Sequence, residues 1–272
     1  MQKRNRIIVL VDFSKHTENL MSFAFSISKL MNAKILFIHK VSGVVPALAD
    51  EGSRIEILKV EIEDARRNLR ELVRGRDIDD EAFFVSSKPV LTQLQEVSND
   101  KYFDWVLTGL KGTGTLKRLL IGSTPLSIID ESSLLTLAIP VRTKVPVPTK
   151  LLVGVTLKYK LNKNQLENVL LSLKEKVIHL EFFSILKDDE DETKTRNYLL
   201  ELQTEYTSYK PEIQLYKGNN ALNLLKERVR NTENSFLVLQ QGSRTLTDKL
   251  FRSFMINELV YDAHTPLIVL SS

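Results

Sequence analysis

Short aliphatic runs alternate with longer segments of helical period, and the whole alternation occurs twice within 272 residues. Ile7 to Val11, Lys34 to Val41, Ala82 to Val85, Trp105 to Thr108 and Leu135 to Pro140 read as strands. Between them, Asn19–Met31, about Ser53–Val73, about Val90–Asn99 and about Ser123–Ser132 carry apolar residues at helical spacing. Continuous β-branched runs suit strands covered on both faces, and strands alternating with helices argue for an open parallel sheet with helical crossovers. After Arg142–Lys150, with two prolines and no helical period, the pattern restarts. Leu151–Thr156, Val177–Leu186, Glu212–Tyr216, Ser235–Leu239 and Leu267–Leu270 are the second set of strands. Asn164–Lys174, Asp191–Tyr209, Ala221–Arg230 and Asp248–Ala263 are its helices. The expected fold class is α/β, as two tandem repeats of an open, mostly parallel five-stranded sheet flanked by helices. The expected domains are 1–141 and 151–272, joined by a linker at 142–150.

Composition removes several classes of function. With no cysteine, disulfides, thiolate metal sites and cysteine nucleophiles are excluded. The first apolar run stops at Asp12, too early for a signal or a span, and a cytoplasmic protein without a membrane partner is expected. A net charge of +4, without a basic stripe carrying interleaved aromatics, gives no reason for a nucleic-acid partner. His16, His39, His179 and His264 form no metal-ligand spacing, and neither HExxH nor Gly-x-Ser-x-Gly occurs, so no catalytic or metal residues are assigned.

The stretch Gly109–Thr124 concentrates four of the ten glycines. It follows a strand and leads into a helix, an arrangement that offers free N–H groups and a positive dipole end to phosphate. It is not a P-loop, since Thr115-Leu116 stands where Lys-Ser/Thr is required. Nor is it a dinucleotide fingerprint, because Lys117 takes the third glycine's place. Aligning Arg118-Leu-Leu with Lys249-Leu-Phe sets Gly109 against Gln240, Gly112 against Ser243, Gly122 against Ser253 and Ser123 against Phe254. Asp12 falls near Thr156. The second copy keeps the element pattern and loses the loop chemistry, which points to one ligand site, in the first half.

Ile8-Val-Leu-Val-Asp12-Phe-Ser14, Ile38-His39-Lys40-Val41 and Gly109-x2-Gly112-x9-Gly122-Ser123-Thr124 together resemble the universal stress protein family, the last matching its nucleotide motif without a gap. The resemblance implies an adenine nucleotide, ATP (or ADP or AMP), with Mg2+ as accompanying ion. Asp12 would lie on the sugar or metal-phosphate side. Val41 would meet the adenine through its backbone. Gly109 and Gly112 would line ribose and phosphates, and Gly122, Ser123 and Thr124 would donate to phosphate oxygens. Phe13 departs from the small residue usual after the aspartate. Family dimers pair through the last strand, so Leu135–Ile139 and Leu267–Leu270 are expected to pair as an intramolecular pseudo-dimer, with a homodimer as a further possibility.

Three functions remain open at this level. The first is a nucleotide-binding stress-response or signalling module acting on a protein partner that the sequence does not name. The second is a nucleotide-free dimeric scaffold of the same family. The third is a slow ATPase, for which Asp12 and His16 are the only candidate bases.

Overall fold

The computed structural model describes residues 3–44, 49–110, 123–141, 143, 147–173, 176–177, 179–186, 190–241 and 264–271. The chain divides into two compact units, Met1–Leu107 and Thr108–Ser272.

In the first unit, β1 (Arg4–Leu10), β2 (Lys34–Lys40), β3 (Phe83–Ser86) and the start of β4 (Tyr102–Leu110) form a parallel sheet in the order β3-β2-β1-β4. Ile7, Ile8 and Val9 are fully buried in central β1, which explains an aliphatic run without alternation. α1 (Thr17–Met31) buries Leu20, Phe23, Ala24 and Ile27, and Asn32 closes it in a left-handed conformation. α2 (Glu51–Leu72) is capped by Asp50, whose carboxylate accepts from Ser53 N, but buries only Ala65 and Leu69. α3 (Val90–Val97) follows Pro89.

Charged residues occupy the start of β1, ahead of the expected strand. They are tolerated because Arg6 sits opposite Asp104 in the β1–β4 register and forms a two-pronged ion pair with it, at 2.7 and 2.8 Å. The Arg6 guanidinium also donates to Val97 O and lies 4.4 Å from the Tyr102 ring centroid. With its donors engaged on both sides, burying the pair costs little.

The second unit holds β5 (Leu135–Pro140), β6 (Lys150–Gly154), β7 (His179–Leu186), β8 (Glu212–Lys217), β9 (Ser235–Gln240) and β10 (Leu267–Leu270) in the order β8-β7-β6-β9-β10-β5. Its described helices are α4 (Ser123–Glu131), α5 (Lys163–Ser172), α6 (Glu192–Glu205) and α7 (Ala221–Asn231). The order β8-β7-β6-β9 repeats β3-β2-β1-β4 strand for strand. All pairings are parallel except β10 with β5, where Leu267, Ile268 and Val269 face Ala138, Leu137 and Thr136. The two closing strands therefore pair, as expected. The architecture is α/β, with an open, mostly parallel sheet flanked by helices.

A Cβ on Gly154, at the end of β6, would stand 2.7 Å from Leu239 Cδ2 and 2.9 Å from Phe183 Cζ, so only glycine fits this crossing of buried side chains. At the opposite end of the same strands, fully buried Glu181 is paired with Arg228 and Lys150, and both cations also reach Glu212.

Some boundaries differ from the sequence reading. β4 runs on through Gly109 to Leu110, because Leu110 is buried in the apolar cluster of the second unit. The expected linker is already tied down at its end, where Thr149 N donates to Asn234 O at 2.8 Å. The boundary between the two compact units falls inside β4, upstream of residues 142–150. The helix expected at 248–263 lies outside the described residues. No described helix is long and apolar enough to cross a membrane.

Candidate functional site

Parallel strands place all their carboxyl ends along one edge, and ligands of such sheets gather there. At the end of β1 the chain turns through Asp12 into α1. The Asp12 carboxylate is exposed, and its Oδ1 accepts from Ser14 N at 3.0 Å and from Thr17 Oγ1 at 3.4 Å. That is an Asx-type turn, with negative charge at a helix N-terminus, where the dipole favours it. His16 occupies the N-cap position of α1 without a side-chain capping bond.

Phe13 adopts φ 50°, a left-handed conformation that costs a bulky side chain free energy. Its ring packs on the His39 ring with centroids 4.5 Å apart. His39 is itself fixed, with Nδ1 2.8 Å from Val11 O. A carbonyl only accepts, so Nδ1 carries the proton.

Val41, just past β2, is buried, and its N–H donates to Ser86 O at 3.0 Å. A base contact through the Val41 backbone is expected; its amide is engaged within the sheet, so such a contact falls to the carbonyl. Asp12 and Val41 follow the ends of adjacent paired strands, with Leu10 opposite Ile38.

The glycine motif is described only in part. Gly109 is the penultimate residue of β4 and half-buried. Ser123 and Thr124 are the first two residues of α4. Gly112 and Gly122, with Lys111, Lys117 and Arg118, lie outside the described residues. Among the described residues no cluster of three or more histidine or carboxylate side chains could hold a metal ion.

In the second unit, the same edge is filled by the chain itself. Gln240, which aligns with Gly109, donates from Nε2 to Leu270 O (3.3 Å) and Ser271 O (2.9 Å). Its Oε1 accepts from Asn162 N at 2.8 Å. Asn162 caps α5 through Gln165 N and also donates to Ser271 O at 3.0 Å. Gln165 Oε1 accepts from Ser271 N at 2.7 Å. Among the described residues, these side-chain amides are spent on the backbone of Asn162, Gln165, Leu270 and Ser271 at the end of β9. The sequence reading passed over this network. Its only trace there is polar Gln240-Gln241 directly after an apolar strand, a pattern that reads equally as a surface turn.

Residues 3–140 match the family model of the universal stress protein family. No curated protein sequence matches the chain. Among solved structures, a universal stress protein from Archaeoglobus fulgidus is similar at 13% identity and a TM-score of 0.66, with 99% of each chain covered. A candidate universal stress protein from Pseudomonas aeruginosa is similar at 13% identity and a TM-score of 0.58, over 99% of this chain and 93% of that one. The cytoplasmic domain of a prokaryotic cation chloride cotransporter reaches a TM-score of 0.50 at 10% identity, over 98% of this chain and 95% of that one. At these identities the likeness concerns the fold.

Proposed function

Since the chain belongs to the universal stress protein family, we propose that its first half is a binding module for an adenine nucleotide, ATP first of all, acting in stress response or signalling in the cytoplasm. One observation carries the reading. The spacing Gly109-x2-Gly112-x9-Gly122-Ser123-Thr124 is complete in the half that matches the family, whereas the aligned position Gln240 in the other half is spent on internal hydrogen bonds. The phosphates fall to Gly109, Gly112, Gly122, Ser123 and Thr124. Asp12 takes the sugar or Mg2+ side, for which its exposed carboxylate fits. The base meets the Val41 carbonyl, which suits the amino group of adenine and not the carbonyl edge of uracil. The β5–β10 pairing serves as an internal counterpart of the family's dimer contact. Among the described residues no side-chain set suited to hydrolysis accompanies this, and the reading is of a module that works through occupancy and an unnamed protein partner.

Calorimetric titration with ATP tests the proposal. Heat of binding is expected for the parent protein and its loss for Gly122→Val with the fold retained. Absence of binding at millimolar ATP, in protein with normal circular dichroism, sinks it.

A nucleotide-free scaffold is the second reading, favoured by the Phe13 ring lying on His39 beside Asp12. Mass spectrometry of small molecules released from protein purified without added nucleotide separates the two. Recovered adenine nucleotide supports binding.

A further inference from the structure

α2 is a long helix that is anchored at only one end. Its two buried residues, Ala65 and Leu69, both lie in its second half, while Ile55 and Val60 in its first half are more than half exposed. Between these regions, Glu61 reaches the segment that follows β2. Its Oε1 accepts from Ser42 Oγ and its Oε2 from Gly43 N, both at 3.0 Å. A carboxylate holding two consecutive residues in this way is a charge-assisted, two-point grip.

The segment it grips requires holding. Gly43 has φ +60°, and a Cβ there would stand 3.1 Å from Ser87 Cβ. Glycine accepts this conformation without steric cost but has the most backbone freedom to lose. On its amino side, Val41 N–H is tied to Ser86 O. The Val41 carbonyl belongs to the rigid Val41–Ser42 peptide plane. Its direction is therefore set from one side by the β3 end and from the other by Ser42 and Gly43 on Glu61.

We infer that Glu61 is a positioning residue: through Ser42 and Gly43 it aims the Val41 carbonyl at the exocyclic amino group of an adenine base, and so confers base preference. This rests on the nucleotide reading above and adds to it a residue on a different element, outside every motif of the sequence.

The test compares the parent protein with Glu61→Ala and Glu61→Gln, titrated with ATP and with UTP. Alanine removes both acceptors. Glutamine keeps them in effect, because its oxygen accepts from Gly43 N and the Ser42 hydroxyl rotates to accept from its amide. The parent is expected to prefer ATP. Glu61→Ala should lose about tenfold in ATP affinity with little change for UTP, and Glu61→Gln should stay within about threefold of the parent. Equal losses for ATP and UTP in Glu61→Ala overturn the inference, since a general loosening of the fold does not discriminate between bases. So does ATP affinity unchanged in Glu61→Ala, a Glu61→Gln as weak as Glu61→Ala, or a parent that binds ATP and UTP alike. A parent that binds neither nucleotide overturns the nucleotide reading itself, a result distinct from all of these.

Discussion

The ring of Phe13 rests on the ring of His39, centroids 4.5 Å apart and planes tilted by 53°, while the Phe13 backbone is held at φ 50°. A bulky residue is thus kept in a strained conformation by an aromatic contact, and the histidine beneath it is fixed to the Val11 carbonyl. Strain of this kind persists only where the surroundings over-determine it.

The two contributions can be separated by substitution. Phe13→Ala loses the ring contact and keeps the left-handed penalty, whereas Phe13→Gly loses the contact and the penalty together. Urea unfolding should find the alanine variant less stable than the glycine variant by about 1 kcal/mol. Equal stability would mean that the turn relaxes once the ring is gone.

Gln240 should matter for stability and not for ligand. Gln240→Ala strands Asn162 N–H, while the carbonyls of Leu270 and Ser271 each lose one donor and keep another, Gln241 N and Asn162 Nδ2. A loss of about 1–3 kcal/mol is expected in chemical denaturation. ATP affinity should stay at the parent value, because the network belongs to the other half of the chain.

Gly154 is a packing glycine. Gly154→Ala drives a methyl group against Leu239 and Phe183, both buried. Overpacking of about 1–3 kcal/mol is predicted, read as a lower urea midpoint with an unchanged slope.

The charge cluster around Glu181 predicts a pH dependence. The hydrogen bond from Lys150, then the charges of Lys150 and Arg228, hold the Glu212 carboxyl below its ordinary value. A depressed carboxylate stabilises the fold above its unfolded pKa, about 4.3, and that contribution fades as pH falls through the lower folded value. Glu212→Gln should therefore be less stable than the parent at pH 7, with the gap closing at about pH 3. Urea midpoints at the two pH values check it. A gap that persists in acid would assign the effect to packing.

Much of this architecture is legible along the chain. The aliphatic runs of β1 and β9 and the helical spacing of Leu20, Phe23, Ala24 and Ile27 are local patterns, and burial follows them closely, with Leu10 half-buried at the end of β1. The pairing of the two closing strands was foreseeable from the repeat together with the family resemblance. Gly109 was misplaced into a loop because glycine reads as punctuation, while it is the burial of Leu110 that carries β4 onward. Glu61 left no signal, and Gln240 only an ambiguous one. Glu61 is one acid among many on a charged helix, and Gln240 is one amide at a strand end.

By itself, then, the sequence determined an α/β chain with a twice-repeated element order and one half bearing a complete phosphate-type motif. Periodicity and glycine spacing are properties of neighbouring residues, and they survive without knowledge of what packs where. Tertiary structure alone decided which polar groups are already satisfied. Val41 N–H is committed to Ser86. Ser42 and Gly43 are committed to Glu61. The end of β9 is closed by Gln240, Asn162 and Ser271. The partners in these bonds are between 18 and 109 residues apart wherever a side chain is involved, and hydrogen-bond satisfaction at that range exists only once the sheet has brought its edges together.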